Sequence, residues 1–325
     1  MEYVRLGRTG LKVSRLILGC MTYGDPAWSA WVLDEAASRP LIRRALDLGV
    51  TTFDTADMYS NGASEEILGR ALKDWTTRQH MVIASKLYNP MGPEPNNRGL
   101  SRKHVFQAVD ASLRRLQTDY IDLYQIHRFD GETPLEETLD ALNDVVRSGR
   151  VRYLGASSMF AWQFMKALGL QRQHGWAPFV SMQNHYSLLY REEEREMLPL
   201  CREEGIGVIP WSPLARGYLA GNRHGATPAT NRAGTDKLGA SLFSTDADRA
   251  TIAAVGDVAR RLGVSMAQVA YAWVATRTGV TGPIFGMSKL QQFDDAMASL
   301  SLRLEQDDIA KMEAPYIPRP IAGHS

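Results

Sequence analysis

Four polar residues of complementary chemistry follow predicted strands in the first half of the chain. Asp54 ends the run TTFD, Tyr59 stands five residues later, Lys86 ends VIASK and His127 follows LYQI. An ammonium beside a phenol lowers the pKa of the phenol, and a carboxylate keeps that ammonium charged. A histidine can donate a hydrogen bond to a carbonyl oxygen as negative charge develops there. Together the four residues predict a carbonyl-reducing site in which Tyr59 is the acid.

Each of these residues also has a purely structural explanation when it is taken alone. Asp54 could cap a helix, Lys86 could reach water at a strand end, and Tyr59 could be an ordinary loop aromatic. His127 could be a hydrogen-bonded histidine of the core, and the nearby Asp57 is expected to be a turn residue. The functional interpretation therefore depends on all four side chains lying at one edge of a sheet.

Eight short apolar runs, typical of parallel strands that are buried on both faces, alternate with segments of helical period. The predicted strands are residues 13–18, 51–54, 81–85, 121–126, 151–155, 180–183, 207–211 and 283–285. The predicted helices are residues 40–48, 65–72, 102–116, 135–146, 161–168, 192–203, 246–262, 265–276 and 290–298.

Eight strand–helix units in about 290 residues predict an α/β fold, a (β/α)8 TIM barrel with long βα loops at its C-terminal face. The alternative is a doubly wound open sheet, but no G-x-G-x-x-G follows any strand. No Pro/Gly/Ser-rich linker divides the chain, so residues 1–325 are expected to form one domain. The irregular residues 215–245 could be a plain connector, although a loop of this length favours a lid or binding loop.

Composition narrows the class of protein further. Lys plus Arg total 37 and Asp plus Glu total 36, so the net charge of +1 predicts neither a nucleic-acid nor a membrane partner. Cys20 and Cys201 are the two cysteines, which excludes a disulfide framework and favours a reducing compartment. The opening MEYVRLGRTG lacks the layout of a signal peptide, so a cytoplasmic location is expected.

The segments FDTADMYSNGASEEILGRAL, VIASKL and LYQIH resemble the aldo-keto reductase superfamily. The catalytic tetrad of that superfamily falls here on Asp54, Tyr59, Lys86 and His127. The resemblance runs from LGRTGLKVSRLILG to FGMSKLQQFDDAMASL and so covers nearly the whole chain. GASSMFAWQF and IPWSPLARGYLAG resemble a bacterial branch akin to potassium-channel β-subunits and aryl-alcohol dehydrogenases.

The resemblance implies that NADP(H) lies extended across the barrel mouth, with Trp211 against the nicotinamide and Lys289 at the 2′-phosphate. The residues it implies for the cofactor are Gly19, Cys20, Met21, Asp54, Ser157, Ser158, Gln183, Trp211, Ser212, Pro213, Leu214, Ala215, Arg216, Arg232, Gly286, Met287, Ser288, Lys289, Gln292 and Asp295. Family members often carry Thr where Cys20 stands and Asn at the positions of Ser158 and Ala296. The last of these normally hydrogen-bonds the adenine, so Ala296 leaves the adenine contact open.

The sequence predicts reversible, NADPH-dependent reduction of aldehydes or ketones. Two other classes stay open: a cofactor-binding regulatory protein resembling the channel β-subunits, and a hydrolase or metal-dependent lyase on the same barrel. The latter would need paired carboxylates or a ligand cluster, and Asp54 is the one acid at a predicted strand end, so no metal site is predicted. Aromatic residues that follow the predicted strands suggest an apolar or aromatic small-molecule substrate. The expected substrate pocket consists of these aromatic residues and of two tetrad residues, Tyr59 and His127. Its residues are Tyr23, Trp28, Tyr59, Tyr88, His127, Phe129 and Tyr186. The oligomeric state is not predicted.

Overall fold

The computed structural model describes residues 1–221 and 234–324, and their strands form two sheets. Strands β1 (Tyr3–Arg5) and β2 (Lys12–Ser14) pair as an antiparallel hairpin. The strands of the second sheet are all parallel. They are β3 (Ile17–Gly19), β4 (Thr52–Asp54), β5 (Val82–Leu87), β6 (Ile121–Ile126), β7 (Val151–Ser157), β8 (Phe179–Gln183), β9 (Gly207–Val208) and β10 (Ile284–Gly286).

The parallel sheet follows the order β10-β3-β4-β5-β6-β7-β8-β9 and closes on itself. Thr281 N donates to Val208 O at 2.8 Å, and Ile284 N donates to Pro210 O at 2.9 Å. These hydrogen bonds join the segment that contains β10 to the segment that contains β9. The predicted (β/α)8 barrel is therefore confirmed.

Helices follow the strands of the barrel and cover its outer surface. They are α1 (Glu35–Asp47), α2 (Ala63–Trp75), α3 (Arg102–Leu116), α4 (Leu135–Arg147), α5 (Ala161–His174), α6 (Met197–Glu204), α7 (Lys237–Leu242), α8 (Asp246–Leu262), α9 (Met266–Ala275), α10 (Gln291–Ser299) and α11 (Gln306–Glu313). In the part of the chain that the structure describes, no helix is both long enough and apolar enough to cross a bilayer.

The prediction of one strand over residues 13–18 is wrong, because the chain bends after Ser14. The hydroxyl of Ser14 donates to Leu16 O at 2.7 Å and accepts from Thr52 N at 3.2 Å. These contacts separate hairpin strand β2 from barrel strand β3. The first helix also begins earlier than residue 40, because the Asp34 carboxylate accepts from Ala37 N at 2.9 Å and caps it.

Side-chain alternation decides which residues enter the barrel. Val82 and Ala84 of β5 and Leu123 of β6 pack together in a buried cluster inside the barrel. Since side chains on one face of a strand recur every second residue, Lys86 and Gln125 turn to the same inner face. Both are polar and both stand near the carboxyl ends of their strands, where active sites of such barrels lie.

Candidate active site

The ammonium of Lys86 is the centre of a buried hydrogen-bonded cluster at the barrel mouth. Its Nζ donates to Asp54 Oδ2 at 2.6 Å, to Thr55 O at 2.9 Å and to Tyr59 OH at 3.2 Å. The side chain of Lys86 is 0% exposed and that of Asp54 is 3% exposed. An ammonium has three donors, so these three acceptors satisfy it completely.

The second carboxylate oxygen of Asp54 is held by two glutamine side chains. Gln183 Nε2 donates to Asp54 Oδ1 at 2.8 Å, and Gln125 Nε2 donates to the same atom at 3.2 Å. Gly155 of β7 leaves room for this arrangement, because a Cβ there would lie 2.4 Å from Ser181 Oγ and 2.9 Å from Gln125 Cγ. Both oxygens of the buried carboxylate are thus hydrogen-bonded, as a buried charge requires.

Tyr59 lies between the ammonium of Lys86 and the ring of His127. Its ring centroid is 5.8 Å from that of His127, with the two rings nearly perpendicular. Burial raises the pKa of Tyr59, and the nearby Lys86 offsets only part of this increase, so the net shift is upward. The sequence predicts that Lys86 lowers this pKa, and burial outweighs that contribution here. The phenol is therefore protonated at neutral pH.

The structure keeps His127 neutral. Burial lowers its pKa well below the ordinary value, and the positive charges of Lys86 and Arg128 lower it further. Asn89 Nδ2 lies 3.2 Å from His127 Nδ1. When this amide donates to Nδ1, the single proton of the neutral ring is on Nε2, which can then donate a hydrogen bond to a ligand.

Backbone strain is concentrated around the same mouth. Ser60 and Asn61 after β4, Tyr88 after β5 and Ser158 after β7 all have positive φ values. Ser212, Ala215 and Arg216 after β9 also do. Non-glycine residues seldom adopt this conformation, and such residues cluster at ligand sites.

A cavity of about 800 Å³ opens at the carboxyl ends of the strands. Most of the residues that the sequence predicted for the cofactor site line this cavity, together with some of those predicted for the substrate pocket. The two predicted sites therefore share one cavity. The predicted residues that line it are Gly19, Met21, Trp28, Asp54, Tyr59, His127, Ser157, Gln183, Trp211, Ser212, Pro213, Leu214, Arg216, Gly286, Ser288, Lys289, Gln292 and Asp295.

Other predicted cofactor residues lie behind the cavity wall. Cys20, Ala215 and Met287 are fully buried in the apolar core. Ser158 is also buried, and its hydroxyl accepts from Trp211 Nε1 at 3.0 Å. Ser158 thus contacts the indole that lines the cavity. Arg232 lies outside the described residues.

Four of the aromatic residues predicted for the substrate pocket are not in its lining. Tyr23 and Tyr186 are buried, and the Tyr186 hydroxyl donates to Glu194 Oε1 at 2.6 Å. The ring of Phe129 packs 6.5 Å from that of Trp162. Tyr88 is partly buried against the core. Of this aromatic set, Trp28 and Tyr59 reach the cavity.

The predicted phosphate-binding groups already have partners within the chain. The guanidinium of Arg216 forms two hydrogen bonds with Asp236, at 2.6 and 2.9 Å. The main-chain N–H groups of Ser288 and Lys289 donate to Gln292 Oε1 at 2.8 and 3.0 Å. The side chain of Lys289 is exposed at the cavity rim.

Sequence reasoning missed several residues of the site. Gln125 precedes His127 by two residues on the same strand, so strand period could have placed it on the inner face. Arg128 follows His127 and lines the cavity, as do Trp31, Met58 and Tyr271. The sequence carries no signal that places these last three residues. No group of three or more His, Cys, Asp or Glu side chains that could hold a metal occurs among residues 1–221 and 234–324.

The family model of the Aldo/keto reductase family matches residues 15–317. With the closed barrel and the polar cluster at its mouth, this match shows that the chain belongs to the aldo/keto reductase family. The chain is therefore assigned to a family of oxidoreductases that act on carbonyl compounds.

Three curated relatives are similar to the chain over almost its whole length. Versiconal hemiacetal acetate reductase of Aspergillus parasiticus is 48% identical, over 99% of this chain and 98% of that protein. A Schizosaccharomyces pombe protein named "Putative aryl-alcohol dehydrogenase C977.14c" is 44% identical, over 99% and 97%. Aldo-keto reductase AMT2 of Alternaria alternata is 44% identical, over 99% and 94%. These relatives are fungal, so they do not support the expected bacterial branch.

Proposed function

We propose that the protein is an NADPH-dependent reductase that converts aldehydes or ketones to alcohols reversibly, with Tyr59 as the proton donor. The observation that carries the proposal is the position of Lys86 Nζ, which bridges Asp54 Oδ2 at 2.6 Å and Tyr59 OH at 3.2 Å. Tyr59 and His127 face the cavity from this cluster.

The hydrogen bonds of the cluster direct the proton of Tyr59. The phenol oxygen accepts from Lys86, so its own O–H can donate elsewhere. Tyr59 lines the cavity, and a substrate carbonyl oxygen there would receive this proton. The phenolate that remains would be stabilised by Lys86, whose charge Asp54 maintains: burial alone would lower the pKa of Lys86, but Asp54 and Tyr59 outweigh this effect and raise it.

His127 supports the same step as a neutral donor. With Asn89 donating to Nδ1, His127 Nε2–H can bind the carbonyl oxygen and hold it near Tyr59. Because the pKa of His127 is well below its usual range, the ring does not compete with Tyr59 as the acid. Orientation and proton supply are thus divided between two residues.

The cavity wall fits a nicotinamide coenzyme, which supplies a hydride when it is bound. The flat indole of Trp211 is fixed by Ser158, and Ser157 and Gln183 lie in the same wall. Gln183 Nε2 donates to Asp54, so the Oε1 atom of Gln183 can accept a hydrogen bond from the carboxamide of the coenzyme. Lys289 at the rim would bind the 2′-phosphate, and so favour NADPH.

Two relatives are named versiconal hemiacetal acetate reductase and putative aryl-alcohol dehydrogenase. We therefore include aromatic aldehydes and ketones among the proposed substrates. We place the reaction in the cytoplasm, because the free cysteines Cys20 and Cys201 fit a reducing compartment.

The test of the proposed function is Tyr59→Phe, which removes one hydroxyl. Reduction of 4-nitrobenzaldehyde by NADPH should slow by about 10²–10⁴, because general acid catalysis is lost. NADPH binding, followed by fluorescence quenching, should persist. Tyr3→Phe, on the exposed hairpin, is the matched control.

Unchanged kcat in Tyr59→Phe would remove Tyr59 from the mechanism. Tight coenzyme binding without measurable turnover in the unmodified protein would instead favour a cofactor-binding regulatory protein.

A further inference from the structure

We propose that Arg128 binds a carboxylate of the substrate, so that the enzyme prefers aromatic carbonyl compounds that carry an acidic group. This inference rests on the proposed reductase function and adds a substrate class to it. Its starting point is a positively charged side chain in the cavity wall that has no acidic partner in the described chain.

Arg128 stands at the reaction centre. It follows His127 at the end of β6 and lines the same cavity as Tyr59 and His127. The groups whose charge acts on it are Tyr59 and Tyr88, and both are phenols rather than carboxylates. A group bound by Arg128 would therefore lie in the same cavity as the substrate carbonyl.

The barrel places Arg128 across the mouth from the proposed phosphate site. Lys289 follows β10, and Arg128 follows β6, which is four positions away in the eight-stranded closed sheet. Four positions are half the circumference of the barrel. Lys289 is thus placed for the coenzyme phosphate, whereas Arg128 is placed for the substrate.

The other positive charges near the cavity have acidic partners or a separate role. Lys86 is paired with Asp54, and Arg216 is paired with Asp236. Within residues 1–221 and 234–324, Arg128 has no ion pair. The sequence of residues 222–233, NRHGATPATNRA, contains no Asp or Glu.

A partly buried guanidinium without an acidic partner lowers the stability of the protein unless a ligand neutralises its charge. Arg128 is partly buried, and burial lowers its pKa. It donates to the main-chain oxygen of His127 at 2.5 Å. A guanidinium has five N–H donors in a planar fork that matches a carboxylate, so most of its binding capacity remains for a ligand.

The cavity also provides aromatic surface for the body of such a substrate. Trp28 and Trp31 line it, with ring centroids 5.8 Å apart and planes at 72°. Aromatic rings pack favourably against one another in edge-to-face and offset arrangements. A ring that carries both a carbonyl group and a carboxylate matches the two indoles and Arg128.

Arg128 could instead act on Tyr59 alone, because its positive charge lowers the pKa of that phenol. That effect would change the reduction of every substrate by a similar factor. Binding of a carboxylate would change the reduction of acidic substrates selectively. The two roles can therefore be separated by comparing each acid with its neutral ester.

The experiment measures kcat/KM for 2-, 3- and 4-formylbenzoate and for their methyl esters, in the unmodified protein and in Arg128→Gln. At least one acid should be preferred over its ester by the unmodified protein. In Arg128→Gln the acid-to-ester ratio for that isomer should fall about 10- to 100-fold. Arg128→Lys should lie between the two, since it keeps the charge but loses the fork.

Arg5→Gln, which removes an exposed arginine from β1, is the matched control and should keep the unmodified ratio. The inference is overturned if the unmodified protein prefers no acid. It is also overturned if Arg128→Gln slows acid and ester by the same factor.

Equilibrium binding separates failure of this inference from failure of the proposed function. Calorimetric titration with terephthalate in the presence of NADP⁺ requires no turnover. Binding that is lost in Arg128→Gln supports the carboxylate site even if neither aldehyde is reduced, in which case the reductase proposal fails. Equal terephthalate binding by the unmodified protein and by Arg128→Gln overturns the carboxylate site.

Discussion

Replacing Lys86 with Met should both destabilise the protein and strongly slow carbonyl reduction. Lys86 Nζ lies 2.6 Å from Asp54 Oδ2, and neither side chain is more than 3% exposed. The substitution leaves Asp54 as a buried carboxylate without its cation. Removing one member of a buried ion pair typically costs about 3–5 kcal/mol.

The hydrogen bonds that Asp54 keeps in this variant place the expected loss of stability at the lower end of that range. Gln125 and Gln183 still donate to Oδ1 in Lys86→Met, so one oxygen remains hydrogen-bonded. Of the two Asp54 oxygens only Oδ2 loses its partner, and Thr55 O also loses the donor that Lys86 provides. We expect a loss of about 3 kcal/mol in the free energy of unfolding. The rate of reduction should fall by about 10²–10⁴, because Tyr59 loses the cation that stabilises its phenolate.

A double-mutant cycle with Asp54→Asn separates the two effects. The double variant holds two neutral side chains, so it should be more stable than the sum of the single losses predicts. Its reduction rate should nevertheless stay low, because Lys86 is still absent. Urea unfolding followed by circular dichroism measures the first effect, and steady-state reduction of 4-nitrobenzaldehyde measures the second.

Purely additive losses would refute the account of Asp54 and Lys86 as a coupled buried pair. Recovery of activity in the double variant would refute the role of Lys86 at Tyr59. The two results are independent, so the cycle tests the structural and the chemical argument separately.

Two further predictions concern pH and coenzyme choice. The rate of reduction should stay level through neutral pH and fall only in the alkaline range, because burial lowers the pKa of His127 well below its ordinary value and raises the pKa of Tyr59 above its ordinary value. A decline in the range where an exposed histidine titrates would contradict the neutral state of His127. Lys289→Ala should raise KM for NADPH about 10- to 100-fold and leave that for NADH nearly unchanged. Lys103→Ala, an exposed substitution on α3, is its control, and equal effects on both coenzymes would contradict the proposed phosphate site.

Local patterns in the sequence were sufficient to predict the barrel and to predict that the polar residues at its strand ends lie close together. Parallel strands bring their carboxyl ends to one edge, so Asp54 and Lys86 could be placed together without coordinates. The structure brings Tyr59 and His127 to the same cluster, but the catalytic roles of all four remain predictions. Periodicity did not reveal the break after Ser14, because that break depends on its hydroxyl reaching Leu16 O and Thr52 N.

Contacts between residues that are far apart in the sequence form only when the barrel closes. The Asp54 carboxylate meets Gln183 from a strand on another side of the barrel, 129 positions later in the chain. Side-chain packing in the loops that follow the strands was also not predicted: Tyr186 is hydrogen-bonded to Glu194 and Arg216 to Asp236, although the sequence suggested ligand contacts for both Tyr186 and Arg216. Arg128 has no acidic partner among the described residues. Sequence period tells which face of its own strand a side chain occupies, whereas its partners depend on distances between strands that only the assembled barrel establishes.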